Sequence, residues 1–358
     1  MNEDCLKLTI YFGERDRANG RFLADALLDV YERHGLQMSV LLRGTEGFGI
    51  RHRLQTQRLL SLSEDLPLVA VAVDTRERIK ATLAEVTAVT GHGLITLERA
   101  RMLTDAIQRV TLPDDLHEAT KLTVYCGRHE RTAGRPTYLA VVDLLRSHGI
   151  AGATVLLGVD GTAHGVRQRA RFFRGNAEVP LMVISVGDGE RIAAALPELD
   201  RILSQPLLTL ERVRVLKRDG ERRSELEAPP PAVDQAGLDR WQKLMVYASE
   251  RALHEGRPLH VALVQRLRRE NAAGATALRG IWGYHGARPP HGERFWSIRR
   301  QVPILTVLVD KPQNVGRLFP SVDEVTAGTG LVTSEIVPAL QASGPGLLEG
   351  GLRLADTV

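Results

Sequence analysis

Glycines and arginines in one stretch of the chain have the types and spacing that bind anions. Gly44, Gly47 and Gly49 form a G-x-x-G-x-G run, and Arg51 follows it. Glycine permits the positive φ and close backbone approach that let N–H groups surround a phosphate, and a guanidinium can donate two hydrogen bonds to it. The run therefore predicts an anion site, and a loop hinge is the alternative interpretation. A dinucleotide fingerprint is excluded because no strand–helix–strand unit surrounds the run.

The first glycine pair recurs twice, as Gly158 with Gly161 and as Gly280 with Gly283. A segment rich in arginine and aromatic residues begins at the first glycine of each pair: residues 44–66, 158–179 and 280–302. Together these segments carry 11 arginines against 6 acidic residues and 7 of the chain's 16 aromatic residues, although the formal charge of the whole chain is only +4. Arginine with aromatic enrichment is typical of contact surfaces. A solvated face with local salt bridges is the other interpretation.

These segments belong to a unit that the chain repeats three times. The strand-like stretch that begins at Lys7 returns at Lys121 and at Lys243, 114 and then 122 residues further on. Alternating residues predict a strand from Lys7 to Phe12, and an apolar stripe predicts a helix from Gly20 to His34. The rest of the unit completes the order strand, helix, strand, strand, helix, strand, which is the ferredoxin-like arrangement.

We therefore predict an α+β protein of three tandem ferredoxin-like (βαββαβ) repeats. Both helices of such a repeat lie on one face of its sheet, so the other face must be covered. Three repeats around a pseudo-threefold axis cover these faces mutually, which predicts a monomer that acts as a pseudo-trimer. The predicted divisions are repeats at 1–103, 121–216 and 243–338, linkers at 104–120 and 217–242, and a flexible tail at 339–358.

Charged residues recur at matching positions of the repeats. Three lysines align with one another, as do three glutamates: Lys7, Lys121 and Lys243, and Glu98, Glu211 and Glu335. We expect ion pairs between these two sets across the joints of the repeats. Arg99 and Arg101 on the last strand recur as Arg212 and Arg214. They either face an anion in a cleft or keep an edge strand charged against aggregation.

Composition excludes several classes. No apolar run is long enough to span a membrane, and the first residues lack the features of a signal peptide, so we expect a cytoplasmic protein. Cys5 and Cys126 show no metal or disulfide spacing and are expected to be reduced. The 11 histidines form no ligand set, and no metal site is predicted. Because paired acids, a nucleophile elbow and a Walker loop are absent from the sequence, we predict that the protein is not an enzyme.

The stretch from Gly44 through Gly49, then His52 to Pro67 and Val73-Asp74, resembles the family catalogued as domain of unknown function 190, which is regarded as PII-like. PII proteins are trimeric, ferredoxin-like signal transducers that bind adenine nucleotides in clefts between subunits. They present a long loop between their second and third strands to partner proteins. The resemblance covers the first repeat essentially whole, is fair in the second and is weaker in the third.

The resemblance implies that residues 44–66 form the partner-contacting loop. It also implies a phosphate-facing turn at Thr90, Gly91 and Gly93, which returns in the third repeat with Gly328 and Gly330. No cofactor is certain, and a nucleotide such as ATP, ADP or AMP is the candidate ligand.

The leading hypothesis is a PII-like regulator. It would bind a small anionic molecule in clefts between repeats and a protein partner, for example a membrane transporter, through the arginine and aromatic loops. A nucleic-acid-binding protein that uses the same loops is an alternative, and the low net charge makes nucleic acid an unlikely partner. A ligand-free structural scaffold is the third hypothesis.

Overall fold

The computed structural model describes residues 2–49, 52–56, 65–104, 107, 119–163, 166–167, 179–224, 231, 233, 237–286, 290–292, 302–344 and 346–354. In this part the chain forms three tandem repeats of a mixed α/β domain with antiparallel sheets and six helices. We number the elements in chain order, and we name the two-residue strands other than Glu221–Arg222 by their residues alone.

The first repeat forms one antiparallel sheet with the strand order β4-β1-β3-β2, and both helices cover one face of it. The Thr75 side chain caps the second helix because its hydroxyl accepts the N–H of Arg78 at 3.5 Å. The elements of this repeat are β1 Asn2–Gly13, α1 Leu23–Arg33, β2 Met38–Phe48, β3 Pro67–Thr75, α2 Arg76–Val89 and β4 Gly93–Leu103.

The second repeat has the same order with two added hairpin strands after its last strand. Its elements are β5 Thr120–Gly127, α3 Thr137–Ser147, β6 Gly152–Leu157, β7 Asp160–Ala163, β8 Pro180–Gly187, α4 Gly189–Ile202, β9 Leu207–Arg212, β10 Arg214–Arg218 and β11 Glu221–Arg222.

The third repeat follows the same pattern and also ends in a hairpin. Its elements are β12 Trp241–Ser249, α5 Leu259–Arg269, β13 Ala275–Arg279, β14 Trp282–His285, β15 Pro303–Asp310, α6 Pro312–Val325, β16 Leu331–Val337, β17 Ala339–Gly344 and β18 Leu347–Gly351.

Short strands flank the long elements. Three tight hairpins of two residues a side precede the first helix of each repeat: Arg17–Ala18 with Arg21–Phe22, Arg131–Thr132 with Arg135–Pro136, and Leu253–His254 with Arg257–Pro258. Three more short strands lie in the connections that follow the second strands: Gln55–Thr56, Val166–Arg167 and His291–Gly292.

Three expectations about element boundaries were wrong. The first helix begins at Leu23, because Gly20 has a φ of 81° and forms the turn of the preceding hairpin. The second strand continues through Phe48, so residues 44–48 are strand and not loop. The stretch expected to be a flexible tail contains two strands, Ala339–Gly344 and Leu347–Gly351.

The linkers are described only in part. The second linker begins inside the β10–β11 hairpin and ends in the first residues of β12, and an isolated bridge between them joins Val233 to Asp239. Most of residues 104–120 lies outside the described residues.

Strand pairs join each repeat to the next and close a ring. The end of β4, and the strands that follow the last strands of the other two repeats, pair with the last strand of the following repeat: β4 with β9, β10 with β16, and β17 with β4. The second strand of each repeat also pairs with the continuation of the second strand of the following repeat: β2 with β7, β6 with β14, and β13 with the end of β2. The third repeat therefore contacts the first as the first contacts the second.

Four hydrophobic cores follow from this arrangement. Three lie between one sheet and its own helices. The fourth is central and is formed by the opposite faces of all three sheets, with Val71, Ile184 and Val307 from equivalent strands. The sheet faces that a single repeat would expose are thus buried against each other.

Candidate functional site

The recurring glycines lie where strands of neighbouring repeats cross at close range. A Cβ on Gly161 would stand 2.2 Å from the Ser39 carbonyl oxygen, and one on Gly47 would stand 2.7 Å from that of Ala275. Gly283 meets the Ala153 carbonyl oxygen at 2.2 Å in the same way. No real Cβ contact is this short, so these positions need glycine for packing. The packing reason is independent of any ligand, and their predicted ligand role stays a prediction.

The other three glycines of these pairs are equally close-packed. Added Cβ atoms on Gly44, Gly158 and Gly280 would meet a proline ring or a backbone oxygen at 2.7 to 2.8 Å. Gly49 is different, because nothing lies within 4 Å of an added Cβ there. Gly49 instead lines the cleft between the third and first repeats that is described below. Arg51 lies outside the described residues.

The aligned lysines and glutamates meet in one buried cluster, which we call the axial hexad: Lys7, Lys121, Lys243, Glu98, Glu211 and Glu335. Lys121 Nζ lies 2.9 Å from Glu211 Oε2 in its own repeat and 2.5 Å from Glu335 Oε1 in the next. Lys7 contacts Glu98 Oε2 at 2.6 Å and also Glu211. Lys243 of the third repeat lies 3.0 Å from Glu98 Oε2 of the first, so each of the three joints between repeats contains an ion pair of this cluster.

This geometry confirms the ion pairs expected across the joints of the repeats. The six side chains are at most 7% exposed, and their formal charges cancel. Burial by itself would lower the pKa of Lys7, but Glu211 and Glu98 outweigh burial and raise it well above its ordinary value. Burial would raise the pKa of Glu98, but Lys243 and Lys7 hold it well below its ordinary value. For Lys121 burial prevails and the pKa is lowered.

Oxygens of the three hexad glutamates lie within 4.8 Å of one another, a spacing that a metal ion could bridge. Each carboxylate already has an ammonium group within 3 Å. A metal cation bound between these carboxylates would be repelled by the positive charge of the neighbouring ammonium groups unless it displaced them. The hexad is therefore best understood as the structural centre of the ring.

A cleft lies between the third and first repeats, and we call it cleft 3/1. The first repeat lines it with the end of β1, the residues after β2 and the turn before β4, while the third repeat lines it with β13, β15 and β17. Its cavity volume is about 140 Å³, space for on the order of ten water molecules. Pairing of Phe48 with Ala275 and of Ala342 with Gly93 holds the two sides together.

Several polar side chains with no hydrogen bond or ion pair among the described residues line this cleft. Among them are Arg53 and His92 of the first repeat and Gln341 and Ser343 of the third. Two carboxylates of the lining are occupied. Asp65 accepts hydrogen bonds from the Arg15 N–H and from Gln55 Nε2, at 3.0 and 3.2 Å. Asp16 accepts the Gly13 N–H at 2.7 Å. The unoccupied groups are thus donors or amphoteric, which favours an anion.

The floor of cleft 3/1 is apolar. Tyr11, Phe12 and Leu94 contribute from the first repeat, and Val307 and Val309 contribute from the third. Apolar walls with a few convergent polar groups are the usual composition of small-molecule sites.

The predicted phosphate-facing turn borders this cleft, but its residues play different parts. Thr90 is buried, and its hydroxyl donates to the Val86 carbonyl at 2.7 Å, so it ends the helix. Gly93 has a φ of 139°, and an added Cβ would lie 2.5 Å from the Tyr11 carbonyl oxygen. Gly91 has open space at its Cβ position. Of this turn, only His92 and Gly93 line the cleft.

The remaining predicted residues lie elsewhere. Arg99 is exposed and Arg101 is half-buried on β4, and neither lines cleft 3/1. The third-repeat turn places Gly330 against the Tyr247 carbonyl, with 2.9 Å to an added Cβ, while Gly328 has open space. The ligand roles of all four stay predictions.

Sequence reasoning missed Gln341 and Ser343, because they lie in the stretch interpreted as a tail. The signal was present in the sequence: the buried Leu340 and Ala342 alternate with Gln341 and Ser343, and this period of two is that of a half-buried strand.

Comparison with known proteins identifies the family. Residues 5–102, 119–215 and 241–339 each match the family catalogued as domain of unknown function 190, described as "Uncharacterized ACR". The chain belongs to this family. It contains three copies of the family domain in tandem.

Relatives of this family member are short proteins that match one repeat. A UPF0166 protein of Methanocaldococcus jannaschii is 30% identical over 89 residues, which is 25% of this chain and 82% of the relative. A UPF0166 protein of Aquifex aeolicus is 25% identical over 97 residues, 27% of this chain and 90% of the relative. Among solved structures, aspartate kinase from Synechocystis aligns with 96% of this chain and 46% of its own, at 11% identity and a TM-score of 0.27.

In the described part of the family member, no helix has the length and apolar character needed to cross a membrane.

Proposed function

We propose that this protein is a PII-like regulatory protein that binds a small anionic ligand in cleft 3/1. The observation that carries the proposal is the convergence of Arg53 and His92, without partners among the described residues, on an apolar cleft between two repeats. An anion there would receive hydrogen bonds from both side chains, and an attached ring would contact the apolar floor. Adenine nucleotides combine these two features and are the first ligand class to test.

The strand order β4-β1-β3-β2 and the cyclic strand pairing support a ferredoxin-like pseudo-trimer as the framework of this site. In such a framework one polypeptide takes the place of three subunits, and the ligand lies at a joint. The protein would act as a monomer in the cytoplasm.

Regulation would follow from the position of the cleft beside the connection after β2. Arg53 and Gln55 of this connection line the cleft, so a bound anion would favour one arrangement of the segment. A protein partner, such as a membrane transporter, would recognise that arrangement. Most of the arginine and aromatic residues proposed to contact the partner lie outside the described residues.

A thermal-shift screen tests the ligand proposal. We expect ATP, ADP or AMP to raise the Tm of the wild-type protein, and inorganic phosphate and cyclic dinucleotides serve as comparison ligands. At a ligand concentration of 100 times Kd, binding stabilises the folded protein by about 2.7 kcal/mol. Arg53→Ala combined with His92→Ala should abolish the shift. Arg257→Ala is the matched control, because this exposed arginine does not line the cleft. A shift that survives in the Arg53/His92 variant would place the ligand elsewhere.

A further inference from the structure

The joint between the second and third repeats has the same strand pairing as the joint that forms cleft 3/1, and we call the equivalent position cleft 2/3. A hydrogen-bonded pair of side chains spans it. His285 Nε2 of β14 lies 2.6 Å from Asp219 Oδ1 in the turn between β10 and β11. The two residues come from different repeats. The contact therefore ties one wall of the cleft to the other.

Strand registers show which residues of cleft 3/1 correspond to His285 and Asp219. Tyr284 pairs with Ala153 as Phe48 pairs with Ala275, so the residue after Tyr284, His285, occupies the position of Gly49. The Asp219 N–H donates to the Gly330 carbonyl at 2.8 Å, and Ala342 pairs with the matching Gly93. Asp219 thus occupies the position of Ala342. Cleft 3/1 has a glycine and an alanine where cleft 2/3 has an ion pair.

The turn that carries Asp219 also lies directly on the third-repeat turn. Asp219 and Gly220 have φ values of 52° and 86°, as in a two-residue hairpin turn of the Asp-Gly kind. An added Cβ on Gly220 would stand 2.4 Å from the Ala327 carbonyl oxygen. The hairpin therefore covers residues 327–330, the counterpart of the turn that borders cleft 3/1.

We infer that the Asp219–His285 pair closes cleft 2/3 and thereby restricts the anionic ligand to cleft 3/1. The pair has two effects. It fills the space between the walls, and the Asp219 carboxylate presents a negative charge where an anion would have to bind. The inference rests on the proposed function for the ligand, whereas the closure itself is a property of the unliganded protein.

The test converts cleft 2/3 into the cleft 3/1 pattern with the triple variant Asp219→Ala/His285→Gly/Thr329→His, because Thr329 stands two residues before Leu331 as His92 stands two residues before Leu94. Equilibrium dialysis with ATP should give one molecule per chain for the wild type and two for the variant. Adding Arg53→Glu should abolish binding in the wild type and leave one site in the variant. The control is Arg135→Ala/Asp143→Ala, which removes an exposed ion pair of 2.8 Å in the second repeat and should leave one site.

Hydrogen exchange followed by mass spectrometry tests the closure without ligand. In the variant His285→Gly, loss of the side-chain contact should speed exchange of the Asp219 amide by about 2- to 5-fold, because its hydrogen bond to Gly330 would open more often. Asp219→Asn, which tolerates the positive φ and removes only the charge, should give a smaller increase and serves if His285→Gly fails to fold.

The outcomes separate the two claims. If the wild type binds no ATP while the variants exchange faster, the adenine-nucleotide proposal fails and the closure stands. Unchanged exchange in both variants would overturn the closure. So would a wild-type stoichiometry of two in which one site persists after Arg53→Glu.

Discussion

Lys121 Nζ lies 2.5 Å from Glu335 Oε1, and this contact joins the second repeat to the third at the centre of the molecule. Both side chains are almost completely buried, at 1% and 7% exposure. Charge removed from one partner would leave the other charged in a low-dielectric interior. The axial hexad therefore couples the three repeats.

Lys121→Met should destabilise the protein by about 3–5 kcal/mol, because it leaves Glu211 and Glu335 with one fewer cation in a buried site. Urea unfolding followed by circular dichroism measures the change. Adding Glu335→Gln should recover part of the loss, since the charges of the hexad balance again. An equal or larger loss in the double variant would show that the charges act independently.

Gly161→Ala should destabilise the joint between the first and second repeats by about 1–3 kcal/mol. The new methyl group would stand 2.2 Å from the Ser39 carbonyl oxygen, and backbone atoms cannot move as readily as a side chain. Thermal unfolding compares this variant with Gly91→Ala, where open space surrounds the new methyl group. Equal Tm values for the two variants would contradict the close-crossing explanation.

Stability should fall as the pH drops from 6.5 to 4, with His260 as one cause. Burial, and secondly Arg279, lower the pKa of His260 from 6.5 to about 4. In this window the unfolded chain binds a proton that the folded protein excludes, so protonation favours unfolding, by up to about 3 kcal/mol. Urea unfolding at pH 7 and pH 4.5 should show a smaller pH dependence for His260→Gln. An unchanged dependence would assign the acid sensitivity to other groups.

Neither cysteine should react with a thiol reagent in the native protein. Burial is the main factor that raises the pKa of Cys5 and of Cys126, so the reactive thiolate is scarce and the sulfur is inaccessible. Titration with Ellman's reagent should detect no thiol at pH 8 before denaturation and two in guanidinium chloride. Rapid modification of the native protein would indicate that the ring opens.

The sequence by itself determined the three repeats, because repeated residues in constant register leave few alternatives. It also determined the main elements, since periods of 2 and 3.6 report strands and helices. The matching positions of the three lysines and of the three glutamates were enough to predict ion pairs across the joints, whereas their meeting in one buried hexad was not predicted. Nothing in the sequence distinguished the end of β2 from a loop, because residues 44–48 are held as a strand by pairing with β13, more than 200 residues away.

Only the tertiary structure decided where a ligand site could form. His92 and Gln341 come together because the hairpin after the third repeat closes the ring onto β4 of the first. Likewise, the sequence pattern places Asp219 in a linker, whereas the structure places it against His285. Local patterns report a residue's own strand or helix, whereas these contacts depend on ring closure, which brings together residues with no local relationship in the chain.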